Sequence, residues 1–261
     1  MTKDECLNKY DAEERPALLR RRLIAGGVAG TMAAMMTLEN VIVVPPAPGE
    51  KLDFRAMFGD DGPVEMEIGC GKGGFILRRA MAFPDRRFFG IEWANKFYRY
   101  AADRMVRRQV VNVRLMRTDA ADLVLDHLPP ACLTMLHIYH PDPWPKKRHH
   151  KRRLIQPRFV AAAVDALVPG GRLAVQTDHA EYFEQIREVL HGESRLTEVA
   201  FDVPEAGVVN GRIESNYEIK YLKEGRSIHQ IAMIKAAAAR QNPAVSPAPP
   251  EADRCPPARR G

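Results

Sequence analysis

The chain has 261 residues, 46% hydrophobic and 28% charged, a soluble composition long enough for one substantial core with loose ends. Its net charge of +6 and pI near 9.2 coexist with 33 acids, so the positive excess is gathered in patches and favours a polyanionic partner. Cys6, Cys70, Cys132 and Cys255 form no CxxC pair and no metal-ligand spacing, which supports neither a disulfide framework nor a zinc or iron–sulfur site and fits a reducing compartment.

Arg20, Arg21 and Arg22 precede LIAGGVAGTMAAMM, which imitates a secretory or twin-arginine signal but is too short and too rich in glycine to span a bilayer. Residues 1–40 are expected to form a flexible N-terminal extension. Residues 41–44 read as a short strand closed by Pro45, Pro46 and Pro48, and residues 51–58 as one or two helical turns. Residues 64–68 then give a strand, followed by the glycine loop GCGKGG and an apolar helical pattern over 75–82. This is the opening unit of a doubly wound sheet.

A second strand, 87–91, ends at Glu92, and a helix with a basic outer face covers 93–108. A third strand, 111–116, leads to Thr118 and Asp119; a short helix over 121–128 and a fourth strand over 133–139 follow. Residues 157–167 have helical spacing, Pro169-Gly170-Gly171 is expected to end that helix, and 172–176 form a strand finishing at Thr177 and Asp178. A helix over 181–190 precedes two late strands near 196–201 and 228–234, expected as an antiparallel edge. The organisation expected is a single α/β domain over 41–235, doubly wound and mostly parallel with seven strands, and a disordered Pro/Ala-rich tail over 236–261.

The stretch that concentrates chemistry is 133–153, LTMLHIYHPDPWPKKRHHKRR. Pro141 and Pro143 fix φ and remove donors, so Asp142 stands on a stiff corner beside the flat face of Trp144. Lys146, Lys147, Arg148, Lys151, Arg152 and Arg153 follow at once, a charge density suited to a phosphate backbone. Ligands of open α/β sheets sit outside the carboxyl ends of the strands, so this corner reads as a nucleic-acid-facing active site.

Gly69, Gly71 and Gly74 satisfy GxGxxG, while Gly69, Gly71 and Gly73 satisfy GxGxG, so the loop alone admits a dinucleotide or S-adenosylmethionine. Glu67, Glu92, Asp119 and Asp142 fall at or near four strand ends. Such carboxylates would repel a pyrophosphate but serve an ammonium, a sulfonium and a ribose diol, which favours S-adenosylmethionine. Glu92 has the position of a ribose acceptor, Glu67 lies toward the methionine end and Asp119 flanks the adenine.

EIGCGKGG at 67–74, GIEW at 90–93, TDA at 118–120, HPDPWPKKRHHKRR at 140–153, QTD at 176–178 and SNYE at 215–218 occur in one order. Together they resemble the bacterial tRNA (guanine-N7-)-methyltransferase family (TrmB type) from about residue 63 to 235. The resemblance implies a Rossmann-like S-adenosylmethionine-dependent fold that methylates a guanine in the tRNA variable loop. It implies cofactor contacts at Glu67, Gly69, Gly71, Gly73, Glu92, Asp119 and Asp142, with Asp142 catalytic. Its substrate contacts fall at Lys146, Asp178, Ser215, Asn216, Tyr217 and Glu218, to which the charge of the basic run adds Arg152 and Arg153 as phosphate contacts. It further implies a cytoplasmic protein, monomer or homodimer, with tRNA as partner and no metal or membrane. Two residues depart from the family pattern: Ser215 stands where threonine is usual, and Lys72 occupies the glycine loop where an uncharged residue is common. Three other readings stay open at this point: a methyltransferase acting on an exocyclic amine, although Asp142-Pro143-Trp144-Pro145 lacks the (Asn/Asp)-Pro-Pro-(Tyr/Phe) pattern; a non-catalytic RNA-binding protein on the same fold; and a nicotinamide oxidoreductase.

Overall fold

Alternation along strand β2 (Val64–Ile68) decides the layering: Val64, Met66 and Ile68 project to one side of the sheet, and Glu65 and Glu67 to the other. All five residues are buried, as expected for a parallel strand covered on both faces. The computed structural model describes residues 35–201 and 224–237. The chain divides after Met35, and every element below lies in the unit from Met36 onward. The expectations for residues 1–34, for the tail beyond 237, and for Ser215, Asn216, Tyr217 and Glu218 fall outside the described residues.

Around β2 stand β3 (Arg87–Ile91), β4 (Val113–Met116) and the short β1 (Ile42–Val43) on one side. On the other stand β5 (Leu133–Tyr139), β6 (Leu167–Thr177), β8 (His229–Lys235) and β7 (Leu196–Val199). The order is β1-β4-β3-β2-β5-β6-β8-β7; pairs from β1 to β6 are parallel, and β8 runs antiparallel to both β6 and β7. This is the mostly parallel α/β sheet with an antiparallel C-terminal edge that the sequence implies. With β1, the short strand read over 41–44, the described residues hold eight strands against the seven of the expected sheet. Chain order reverses between β2 and β5, so a crevice opens at their carboxyl ends.

Helices α1 (Leu38–Val41), α3 (Gly74–Ala82) and α4 (Asn95–Arg107) cover the Glu65 face, packing Ile76, Leu77, Tyr98 and Met105 with Phe88 and Leu115. The opposite face takes α2 (Phe54–Phe58), α5 (Ala120–Asp122, continued by a π-turn over Leu123–His127), α6 (Pro157–Ala166) and α7 (Ala180–His191). They pack through Phe54, Leu123, Phe159 and Tyr182. Each such large side chain contributes about 1.5–3 kcal/mol on burial, and truncating Phe159 to alanine would cost about 3–5 kcal/mol.

Two expectations need correcting. Rigid structure begins before residue 41: Met36 is buried, its N–H donates to the Gln109 side-chain oxygen at 3.0 Å, and α1 carries a capping box between Thr37 and Asn40. The Pro169-Gly170-Gly171 triplet lies inside β6 and does not precede it. The strand absorbs it as an irregularity, with the register against β5 shifting between Leu133 and Met135.

Candidate active site

The loop joining β2 to α3 turns its amides inward. Gly69 and Cys70 donate to the Ile91 carbonyl at 2.9 and 3.0 Å, Gly71 to Glu92 Oε2 at 2.8 Å, and Gly73 to the Cys70 carbonyl at 2.8 Å. A phosphate cradle needs such donors aimed outward, and these four are spent within the protein. Gly69, Gly71 and Gly73 sit at φ of 74, 54 and 70°, the left-handed region that glycine enters without penalty. A Cβ on Gly69 or Gly71 would meet nothing within 4 Å, so that side of the loop faces open space. On Gly73 it would stand 2.8 Å from Met105 Cε and 3.0 Å from Ala101 Cβ. Gly73 therefore serves the close approach of α4.

Four acids stand at or near the carboxyl ends of adjacent strands, in different states. Glu67 is 6% exposed, and its Oε2 has no hydrogen-bond partner. Burial raises its carboxyl to about 8, against the opposing pull of the Arg78 charge and the Ile76 N–H. A buried orphan acceptor of this kind suits a cationic group brought by a ligand. Glu92 is half-buried, and besides the Gly71 amide it accepts from Ala94 N–H at 2.7 Å; these bonds aim the carboxylate across the loop. Asp119 caps α5, with Oδ1 accepting from Ala121 and Asp122 N–H at 2.8 and 3.1 Å. Asp142, three residues past β5, is exposed. Lys72 is drawn away from this row: its ammonium lies 5.2 Å from the Tyr100 ring on α4.

Beneath the crevice lies a charged cluster that the sequence reading missed. Glu65 is 1% exposed and receives Arg79 Nε at 2.7 Å, Arg86 Nη1 at 2.6 Å and His137 Nε2 at 3.1 Å. Burial alone would raise its carboxyl, but the bonds and charges of His137 and Arg79 prevail and hold it well below the usual range. His137 Nδ1 in turn meets the Tyr139 hydroxyl at 3.0 Å, and Phe75 packs edge-on against both rings. Two acids two apart in a fully buried strand, followed one element later by Arg78-Arg79, were the available signal. Periodicity says nothing about which cation turns inward.

The Asp142 corner is braced from both sides. His140 and Trp144 take φ of 53 and 43°, left-handed values that cost a non-glycine residue about 1–2 kcal/mol. His140 N–H donates to the Gln176 carbonyl at 2.8 Å, tying the corner to β6. Its ring Nδ1 stands 3.6 Å from Asp178 Oδ1, and Arg226 reaches Asp178 Oδ2 at 3.0 Å. Asp178 is thus brought beside the corner, half-buried, with the Arg226 guanidinium against it.

The basic run forms a 3₁₀ segment, Lys147–Arg152. Lys146, Lys147, Arg148, Lys151 and Arg152 are exposed, and the Arg152 guanidinium lies 5.1 Å from the Trp144 ring, covering one face of it. Arg153 departs from the expectation of a solvent-facing cation. It is 3% exposed, donating to the Pro143 carbonyl at 2.8 Å and Gln185 Oε1 at 2.7 Å, with its guanidinium against the Tyr182 ring. The 3₁₀ turn ends at this residue and directs its side chain onto α7, away from solvent.

The family model described as "Putative methyltransferase" matches residues 61–231. A tRNA (guanine-N(7)-)-methyltransferase of Bordetella parapertussis is 38% identical over 193 residues, 74% of this chain and 75% of that protein. Its namesake in Mycobacterium avium is 38% identical over 191 residues, 73% of each chain. That of Alkalilimnicola ehrlichii is 37% identical over 188 residues, 72% of this chain and 78% of that one. The matched region contains the glycine loop, the acids at the strand ends and the Asp142 corner: the chain belongs to the tRNA (guanine-N(7)-)-methyltransferase family.

Proposed function

We propose that this protein transfers a methyl group from S-adenosylmethionine to N7 of a guanine in the tRNA variable loop, working in the cytoplasm. The observation that carries the reading is the pairing of an inward-turned glycine loop with acids at the carboxyl ends of four adjacent strands. That arrangement favours a cationic, diol-bearing cofactor over a pyrophosphate.

The bound cofactor supplies an electrophilic methyl group on a sulfonium. Glu92 accepts from the ribose hydroxyls, Glu67 meets the positive methionine end, Gly69 and Gly71 leave room for close approach, and Asp119 borders the adenine. Guanine N7 carries its own lone pair at neutral pH, so no side chain has to create the nucleophile, and the protein's work is orientation and electrostatics. Asp142, with Asp178 beside it, stabilises the purine as it gains positive charge. Lys146 and Arg152 hold phosphates and set register. Ser215, Asn216, Tyr217 and Glu218 complete the guanine site. Arg153 is left out of the phosphate set because its donors are spent on Pro143 and Gln185.

The test is transfer of labelled methyl to unmodified tRNA, with the modified position mapped by mass spectrometry of nuclease fragments. Label in a variable-loop fragment supports the reading; label confined to another loop, or none, overturns it.

A further inference from the structure

The outer face of α4 carries features that the reaction does not use. Trp93, just before the helix, is 65% exposed, and Phe97 in its first turn is 37% exposed. Both belong to the small set of large apolar side chains left in solvent among the described residues. Lys96 and Arg99 stand among them, exposed and three apart, so they neighbour each other on the helix surface. Neither has an ion-pair partner among the described residues. The acid of this helix, Asp103, is already paired with Arg107 at 2.8 Å. Arg117 lies over Trp93, its guanidinium 5.7 Å from the ring and its Nε donating to the Trp93 carbonyl at 3.1 Å.

Like charges at this spacing weaken a helix unless an anion lies across them. Exposed rings interleaved with cations combine base-stacking surfaces with phosphate donors. An apolar partner would leave Lys96, Arg99 and Arg117 desolvated and unpaired, so charge complementarity selects a polyanion. The helix starts beyond β3 and the basic arm beyond β5, strands that flank β2 and lie about 10 Å apart at two strand spacings. One RNA can touch both.

We infer that the Trp93–Phe97 face of α4 is a second RNA-contact surface, holding the body of the tRNA whose guanine enters the crevice. The inference rests on the proposed function and extends it from the reacting base to the substrate's body.

The test is the double variant Lys96→Glu/Arg99→Glu. A control of equal charge change, Lys51→Glu/Arg55→Glu, alters α2 and the turn before it on the opposite layer. Affinity for unmodified tRNA is measured from about 50 to 200 mM salt, alongside S-adenosylmethionine affinity, thermal midpoint and sedimentation. The expected result is a loss of tRNA affinity of about tenfold or more and a salt slope lower by about 2. Cofactor affinity, midpoint and turnover at saturating tRNA stay unchanged, and the control retains wild-type binding. Equal affinity in variant and wild type overturns this inference alone. So does a Phe97→Ser variant that converts a dimer to a monomer with unchanged tRNA binding, because the face then serves a second copy of the chain. Absence of tRNA binding by the wild type overturns the proposed function as well.

Discussion

Arg153 Nε donates to the Pro143 carbonyl oxygen at 2.8 Å, so the last cation of the basic run braces the proline corner from inside the protein. Its neighbour Arg152 stays in solvent over the Trp144 ring. Adjacent arginines in one charge run thus divide between holding the corner and facing the substrate. Arg152→Ala is expected to weaken tRNA binding and lower its salt slope by about 1 with little change in stability. Arg153→Ala is expected to cost about 2–3 kcal/mol in denaturant unfolding, because buried charge-assisted bonds are lost. A reversed pattern would contradict the division.

Glu67 makes pH a probe of the crevice. Its carboxyl rises from 4.5 to about 8 in the fold, so between those values the folded state holds a proton that the unfolded state has released. Its contribution to stability is present below 4.5 and is lost as pH rises toward 8. Glu67→Gln should flatten the fall of the thermal midpoint across that window. A cationic ligand favours the ionised form, so S-adenosylmethionine binding should release protons near neutrality. Calorimetry in buffers of different ionisation enthalpy measures this, and Glu67→Gln should abolish it.

Glu65, two residues earlier on the same face, is expected to behave differently. Its charge is matched by Arg79, Arg86 and His137. Glu65→Gln breaks the buried ion pair with Arg79 and should destabilise the fold by about 3–5 kcal/mol in chemical denaturation. A change under 1 kcal/mol would show that water or another group replaces the carboxylate.

Asp142→Ala should separate function from fold. The residue is exposed, so its removal should alter stability by no more than about 0.5 kcal/mol. Methyl transfer should fall by about 10²-fold or more if the carboxylate stabilises charge on the purine. Single-turnover rates at saturating substrates measure this directly, and near-normal transfer would sink the assigned role.

The sheet was legible because its signals are local. Strands 64–68, 87–91 and 133–139 are read from apolar runs that turn residues terminate, and the structure has β2, β3 and β5 at the same bounds. The acids past β3, β4 and β5 could be placed by counting from strand ends. Side-chain direction was less legible. The six Lys and Arg residues between 146 and 153 look alike in sequence, and only the turn at the end of the 3₁₀ segment buries Arg153. Gly73 shares the motif with Gly69 and Gly71, yet its missing Cβ faces α4, a contact 28 to 32 positions away in sequence. The Glu65 cluster joins β2, α3 and β5 across up to 72 residues, beyond the reach of any local period.

The most direct measurement of the central claim is nucleoside mass spectrometry of unmodified tRNA after incubation with the purified protein and S-adenosylmethionine. The account predicts 7-methylguanosine as the new nucleoside, formed by the wild type and lost with Asp142→Ala. A different methylated base, or cofactor binding without any methylated product, would contradict it.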